Sequence, residues 1–291
     1  MSEPSDPPPR LGRRGRSWLR RGLEWSITVL VTVFILRRIG VDLTSLQELD
    51  TLTPEVALPP LVGSIVVLAL GYGVSAGLWG RLVREMGGPA LRRRTSVPLF
   101  LVANLGRYVP GKVLQIAGLT WLARRHGVPA PIAAGAAILG QGVALLGATV
   151  VGLAAFFSPA LDPSLRIWGW LGLGAVIVFI LGTGIPGASD RLRSAWFALA
   201  GSAPPPTSEG DPQGIGFGLR WTALYTLNWG LYAVAFWLLF LGVIGWQPFL
   251  YVGPAFAAAY VGGYLALFAP AGLGVREGLL AAFLSPVLDP E

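Results

Sequence analysis

The sequence predicts an all-α, polytopic helical membrane protein of about six full spans plus two re-entrant or broken helical segments. Three observations predict it. Hydrophobic residues make up 53% of the chain and charged residues 13%, where soluble chains carry about 25% charged residues. The mean hydropathy is +0.62. Residues 221–275 contain no charged side chain at all. Only helices or closed barrels satisfy their backbone groups in hydrocarbon. The alternating strands of about ten residues that a barrel needs are not found.

Residues 1–21 read as a disordered, basic cytoplasmic arm. Met1–Pro9 is polar and proline-rich, and residues 10–21 carry six arginines. An apolar stretch follows, but no small-residue cleavage site does, so it reads as an uncleaved first span at 23–40 rather than a signal peptide. The span's uncharged centre is short, and Glu24 and Arg37 must snorkel towards the interfaces. Residues 41–55 are polar and acidic, and a second span covers 56–80. Arg81, Arg84 and Arg92–Arg94 come next. The N-terminus and residues 81–94 are therefore expected in the cytoplasm of a prokaryotic cell, across its inner membrane, with 41–55 outside.

Residues 95–123 are apolar yet carry Asn104, Arg107, Pro110, Gly111, Lys112 and Gln115. A central Arg or Lys costs about 2.5–3.5 kcal/mol, whereas an apolar residue returns about 0.3–0.6 kcal/mol. One plain span is thus near break-even. Pro110-Gly111 breaks the helix, and Arg124 and Arg125 favour return to the cytoplasmic side. A re-entrant helical hairpin satisfies all three facts. Spans follow at 131–157 and 166–186. In the first, Ala136, Gly140, Ala144, Ala148 and Gly152 form a small-residue stripe suited to helix contact.

Arg191, Trp196 and Phe197 suggest a short interfacial helix, and 201–216 reads as a cytoplasmic linker. Spans at 217–244 and 248–269 and a helix at 275–287 complete the domain, 22–288. Trp25, Trp79, Trp121, Trp168, Trp221 and Trp246 fall near predicted segment ends, as an aromatic belt would. Asp289-Pro290-Glu291 resembles the start of another helix, so further C-terminal helices are expected beyond residue 291.

Two islands carry the chemistry. The first is Asn104-Leu-Gly-Arg107-Tyr108-Val-Pro-Gly-Lys112-Val-Leu-Gln115, which holds the chain's only lysine. The second is Pro270-Ala-Gly272-Leu-Gly274-Val-Arg276-Glu277-Gly278. Ionisable groups at membrane depth are costly and usually functional. Asn104, Arg107 and Tyr108 share one helix face, and Lys112 and Gln115 another. The Pro-Gly bend turns both towards one cavity. Gly272 and Gly274 allow close backbone approach to a ligand, and the helix after them offers an anion site. Arg suits bidentate phosphate binding and Lys adds a point charge. Arg276 and Glu277, being adjacent, are expected to diverge, with Lys112 or Arg107 as the partner of Glu277. The bland alternative is a structural ion-pair network pinning two broken helices together.

Other chemistries find little support. The net charge of +7 lies beside apolar spans, which fits anionic lipid head groups rather than nucleic acid. There is no cysteine, and His126, beside Arg124 and Arg125, reads as a solvated loop residue. No metal site and no cofactor are expected.

The first island resembles the N-x-x-R-Y-x-P-G-K-x-x-Q signature of the lysylphosphatidylglycerol synthase transmembrane-region family. The second is similar to that family's P-x-G-x-G-x-R-E signature. The resemblance covers about residues 20–288. It implies a flippase-like membrane protein that stands alone, without a soluble aminoacyl transferase domain. It also implies that Arg107, Lys112, Arg276 and Glu277 line a head-group path. The expected function is translocation of an anionic phospholipid or polyprenyl-phosphate-linked lipid between leaflets, and not an enzymatic reaction. Two alternatives stand beside it: a membrane-embedded transferase acting on a lipid phosphate, and a non-catalytic partner of a separate lipid or glycan synthase.

Overall fold

A computed structural model describes residues 57–108, 113–157, 163–205, 214–266, 272 and 274–288. The arm 1–21, the first span, the loop 41–55, Lys112 and Asp289–Glu291 lie outside the described residues, as do residues 206–213 of the 201–216 linker.

The described residues are all-α. Helix α1, Leu58–Glu85, starts on Pro59-Pro60, whose missing N–H groups cost nothing in a first turn. It pairs with α7, Ile215–Val243, in antiparallel fashion along its whole length. Ala57 N donates to Gly242 O at 3.0 Å, Ser64 Oγ to Ala235 O at 2.7 Å, and Asn228 Nδ2 to Ser75 Oγ at 2.8 Å. At the far end Arg220 Nη2 reaches Glu85 Oε1 at 2.8 Å, and Trp221 Nε1 donates to Glu85 Oε2 at 2.9 Å. A shared carboxylate thus pins the α1 C-terminus to the α7 N-terminus.

Helix α2, Arg93–Asn104, runs into a 3-10 turn at Leu105–Tyr108, and α3 follows at Val113–Arg124. Each leg has 12 residues, about 18 Å by helical rise. That is too short for a hydrocarbon core of about 30 Å. The legs lie side by side: a methyl on Gly106 would sit 2.8 Å from Gln115 N and Leu114 C. The segment 95–123 is therefore a broken hairpin, as expected from its sequence. Both its open ends, Arg93 and Arg124, stand on the Glu85 side of the bundle.

Helix α4, Ala130–Phe156, is the central element. Its stripe is a contact face. A Cβ on Gly140 would lie 3.0 Å from Tyr225 Oη, and one on Gly152 would lie 2.9 Å from Ala258 N. Gly147, one position off the stripe, comes closest to another helix's backbone, 2.6 Å from the Tyr225 carbonyl carbon. Helix α5, Arg166–Gly184, lies at the periphery with Trp168, Trp170, Val178 and Leu181 turned outward. The amphipathic α6, Ala188–Leu199, buries Phe197 and exposes Leu192 and Leu199. Trp196 Nε1 ties it to Pro131 O at 2.9 Å. The exposed ring of His126 sits beside Leu122 O.

Helix α8, Phe249–Leu265, has 17 residues and is shorter than the predicted 248–269. Helix α9, Val275–Leu288, turns back along it. Gly263 meets Arg276 near the turn, while Val252 shares a core with Phe283 and Leu284 at the open end. Phe283 stacks edge-on against Phe156 at the α4 C-terminus, with centroids 5.2 Å apart. This second hairpin therefore enters from the end opposite to the first. Among the described residues four helical stretches are long and apolar enough to cross a membrane: α1, α4, Pro163–Gly184 and α7.

The tryptophan belt is only half realised. Trp121, Trp168 and Trp246 are exposed, whereas Trp79 and Trp221 are each 1% exposed. Both belong to the buried core that α1, α4 and α7 share, and Trp221 is held inside by Glu85.

Candidate functional site

A cavity of ≈ 120 Å³ lies at mid-height in the bundle, between α1, the first hairpin, α4, α7 and α8. Three residues of the first island line it: Asn104, Arg107 and Gln115. They arrive there because the helix breaks. Asn104 ends α2, Arg107 belongs to the 3-10 turn, and Gln115 opens α3. Gln115 Nε2 donates to Asn104 Oδ1 at 2.9 Å across the bend. That bond joins the ends of two short helices in a largely apolar setting, where such a bond has little competition from water.

The opposite walls were not foreseen from the sequence. From α1 come Tyr72, Ser75 and Trp79; from α4, Gln141; from α7, Tyr225, Asn228, Trp229 and Tyr232; and from α8, Tyr260. Ser75 Oγ and Tyr232 Oη share a hydrogen bond of 2.8 Å, which extends the Asn228–Ser75 bond into a three-member chain. Around it the rings meet in series, edge-on or tilted. Tyr72–Tyr232, Trp229–Tyr232 and Trp229–Tyr260 are 5.6, 5.2 and 4.5 Å apart. Gly71 leaves the space that the Tyr232 ring fills, since a Cβ there would lie 2.9 Å from it. A polar group deep in an apolar helix was the available signal. Asn228 and Tyr232, four residues apart, fall on one face of α7 in the long uncharged stretch. Single neutral residues of this kind lack the charge that marks an island.

The second island forms a separate cluster at the start of α9. Gly272, with φ of +74°, sits against α8 where a Cβ would fall 2.5 Å from Gly263 O. Its freedom thus serves helix packing. The expected anion site at the helix start meets a carboxylate of the chain itself. Gly274 N donates to Glu277 Oε2 at 2.7 Å, one half of a capping box. Arg276 also pairs with Glu277, at 3.0 Å from Nη2 and 3.2 Å from Nε to Oε1. This corrects the expectation that the two neighbours diverge. Both side chains are long enough to fold together over the first turn. Among the described residues the ion-pair partner of Glu277 is Arg276, not Arg107. Lys112, its other predicted partner, lies outside the described residues, as does the Tyr108 side chain.

The cavity's described lining thus combines one guanidinium with amides, hydroxyls and aromatic rings, and contains no carboxylate. Such a lining suits an anion with polar neighbours. Among the described residues, no group of three or more His, Asp or Glu side chains could hold a metal.

The family model "Lysylphosphatidylglycerol synthase TM region" matches residues 23–291. No curated protein and no solved structure matches the chain.

Proposed function

Because the chain belongs to the lysylphosphatidylglycerol synthase transmembrane-region family, we propose that it moves an anionic lipid between leaflets through the cavity at the tip of the first hairpin. The observation that carries this reading is Arg107, placed at mid-bundle by a broken helix among the described amides, hydroxyls and aromatic rings of the cavity. Moving a phosphate through hydrocarbon is opposed mainly by desolvation. A guanidinium with amides and hydroxyls replaces part of the lost hydration, while the acyl or prenyl tails stay in lipid. The candidate substrates are anionic phospholipids and polyprenyl-phosphate-linked lipids.

The opposed hairpins support transport. Irregular backbone at membrane depth is tolerated where it lines a cavity, and broken helices at the midplane are a recurring transporter device. The present cavity has the volume of about four liquid waters, smaller than a phosphodiester head group. Passage therefore requires the bend of the first hairpin to move away from α1 and α7. A transferase reading gains less from this lining, whose aromatics, amides and arginine serve binding better than proton transfer.

The arginines support one orientation in the membrane. Arg84, Arg92–Arg94, Arg124, Arg125, Arg191, Arg193 and Arg220 stand at one end, and Arg166 alone of the described arginines at the other. By the positive-inside rule the first end faces the cytoplasm of a prokaryotic inner membrane.

Photo-crosslinking tests the route. An anionic phospholipid carrying a diazirine beside its phosphate is irradiated with the protein in nanodiscs, and the adducts are mapped. Adducts on residues 104–116 and on α7 around Asn228 are expected. Adducts confined to the outer face of α5, around Val178 and Leu181, would overturn the route.

A further inference from the structure

Between the cavity and the arginine-rich end of the bundle stands Trp221. It lies about one helical turn from Tyr225, which lines the cavity. The two rings are 6.1 Å apart. The Trp221 side chain packs with Trp79, Leu82 and Val83 of α1 in one buried core. Its Nε1 donates to Glu85 Oε2, and Arg220 Nη2 donates to Glu85 Oε1. Glu85 comes six residues after the cavity-lining Trp79, about 9 Å further along α1 by helical rise. The indole therefore fills the α1–α7 seam beneath the cavity, and a carboxylate of the facing helix holds it there.

The character of the α1–α7 contact changes along the seam. At the opposite end the ties are neutral: Ala57 N to Gly242 O and Ser64 Oγ to Ala235 O. At Glu85 the tie is charged, and its carboxylate is 14% exposed against 35% for Arg220. Ion pairs drawn out of water add little net stability, yet removing one partner is strongly felt. Arg220 Nε is also buried without a partner among the described residues, so the closed arrangement carries an unmatched donor. Such a tie suits a contact that must hold in one state and release in another. We infer that Glu85, Arg220 and Trp221 form a gate at the cytoplasmic end of the cavity. The indole plugs the seam and the ion pair latches it. Release of the latch lets the end of α1 part from α7, with the neutral ties at the other end as the pivot. This rests on the transport reading and its orientation, and it adds the door through which the cavity is reached.

The chain lacks cysteine, so the full-length protein can carry one reporter thiol at a time. Ala144→Cys places it in the cavity wall. Ala255→Cys places it in a 0%-exposed core position of α8, outside the cavity lining. Inside-out membrane vesicles are treated with a membrane-impermeant maleimide, which meets the cytoplasmic face. Glu85→Gln, and independently Arg220→Gln, should speed reaction at the Ala144→Cys thiol by about tenfold, the scale set by loss of one charged hydrogen bond. Arg220→Lys, which keeps the charge, should stay near the rate of the unaltered latch. The Ala255→Cys thiol should stay protected throughout. Unchanged reaction at Ala144→Cys in both latch variants overturns the gate. Equal acceleration at both reporters overturns it too, because general loosening then explains the result. Acceleration seen in right-side-out vesicles alone overturns the cytoplasmic assignment. Selective opening without lipid movement in proteoliposomes overturns the transport reading instead and leaves the gate standing.

Discussion

Asn104 and Gln115 are eleven residues apart and bonded across the bend, so each depends on the other for its place in the cavity. Removing either leaves a partly buried amide unmatched. Asn104→Ala and Gln115→Ala should each destabilise the protein by about 1 kcal/mol. The double variant should lose little more than one single variant, and chemical unfolding in detergent reads this coupling. Additive losses would mean that the bond contributes nothing. The Arg276–Glu277 pair behaves differently, because both side chains are roughly a third exposed and water screens them. Its structural value lies in the Gly274 N–H that Glu277 caps. Glu277→Gln, which keeps an acceptor oxygen, should therefore retain more thermal stability than Glu277→Ala. Equal losses would show that the charge, not the cap, matters. At this scale the sequence exposed Arg107, Asn104 and Gln115, because charges and amides are conspicuous in an apolar run. It concealed Asn228, Ser75 and Trp79, whose role depends on which helices become neighbours. It also misjudged Arg276 and Glu277, since ideal helix angles ignore how far two long side chains can bend.

Close helix approach governs the elements. At Gly147 a methyl group would lie 2.6 Å from α7 backbone, and at Gly106 one would lie 2.8 Å from α3 backbone. Backbone cannot move aside as a flexible side chain can. Gly147→Ala should force α4 from α7 and cost about 1–3 kcal/mol. Gly73→Ala, on α1 with nothing within 4 Å, supplies the control and should be neutral or slightly stabilising. Thermal unfolding of the two variants checks this, and equal loss in both would refute the packing account. Gly106→Ala should separate the hairpin legs and so lower transport more than it lowers stability. The elements were largely legible because their apolar runs are long and their breaks carry proline, glycine or arginine. The break at Ala266 was harder to locate, because the apolar character continues past it to residue 269. Gly147 was missed for a related reason: a four-residue stripe drifts around a helix of 3.6 residues per turn.

At the scale of the whole molecule, two hairpins enter from opposite ends, and the described arginines gather at one of them. The chain has no cysteine, so single cysteines report topology cleanly. With a membrane-impermeant maleimide on intact cells, a cysteine at Trp246 should be labelled and one at Gly127 should not. The reverse pattern would invert the proposed orientation. The fold class follows from composition alone. The opposed entry of the hairpins does not, because it needs the antiparallel pairing of α8 with α9 and the contact of Phe283 with Phe156. The central claim is that Arg107 guides a lipid phosphate across the membrane. Its most direct test is leaflet-resolved movement of chain-labelled phosphatidylglycerol and phosphatidylcholine in proteoliposomes, comparing wild type with Arg107→Gln. The account predicts faster movement of the anionic lipid by the wild type and at least a tenfold loss of that advantage in Arg107→Gln. Equal movement of both lipids by the wild type, or an anionic preference that survives the substitution, would contradict it.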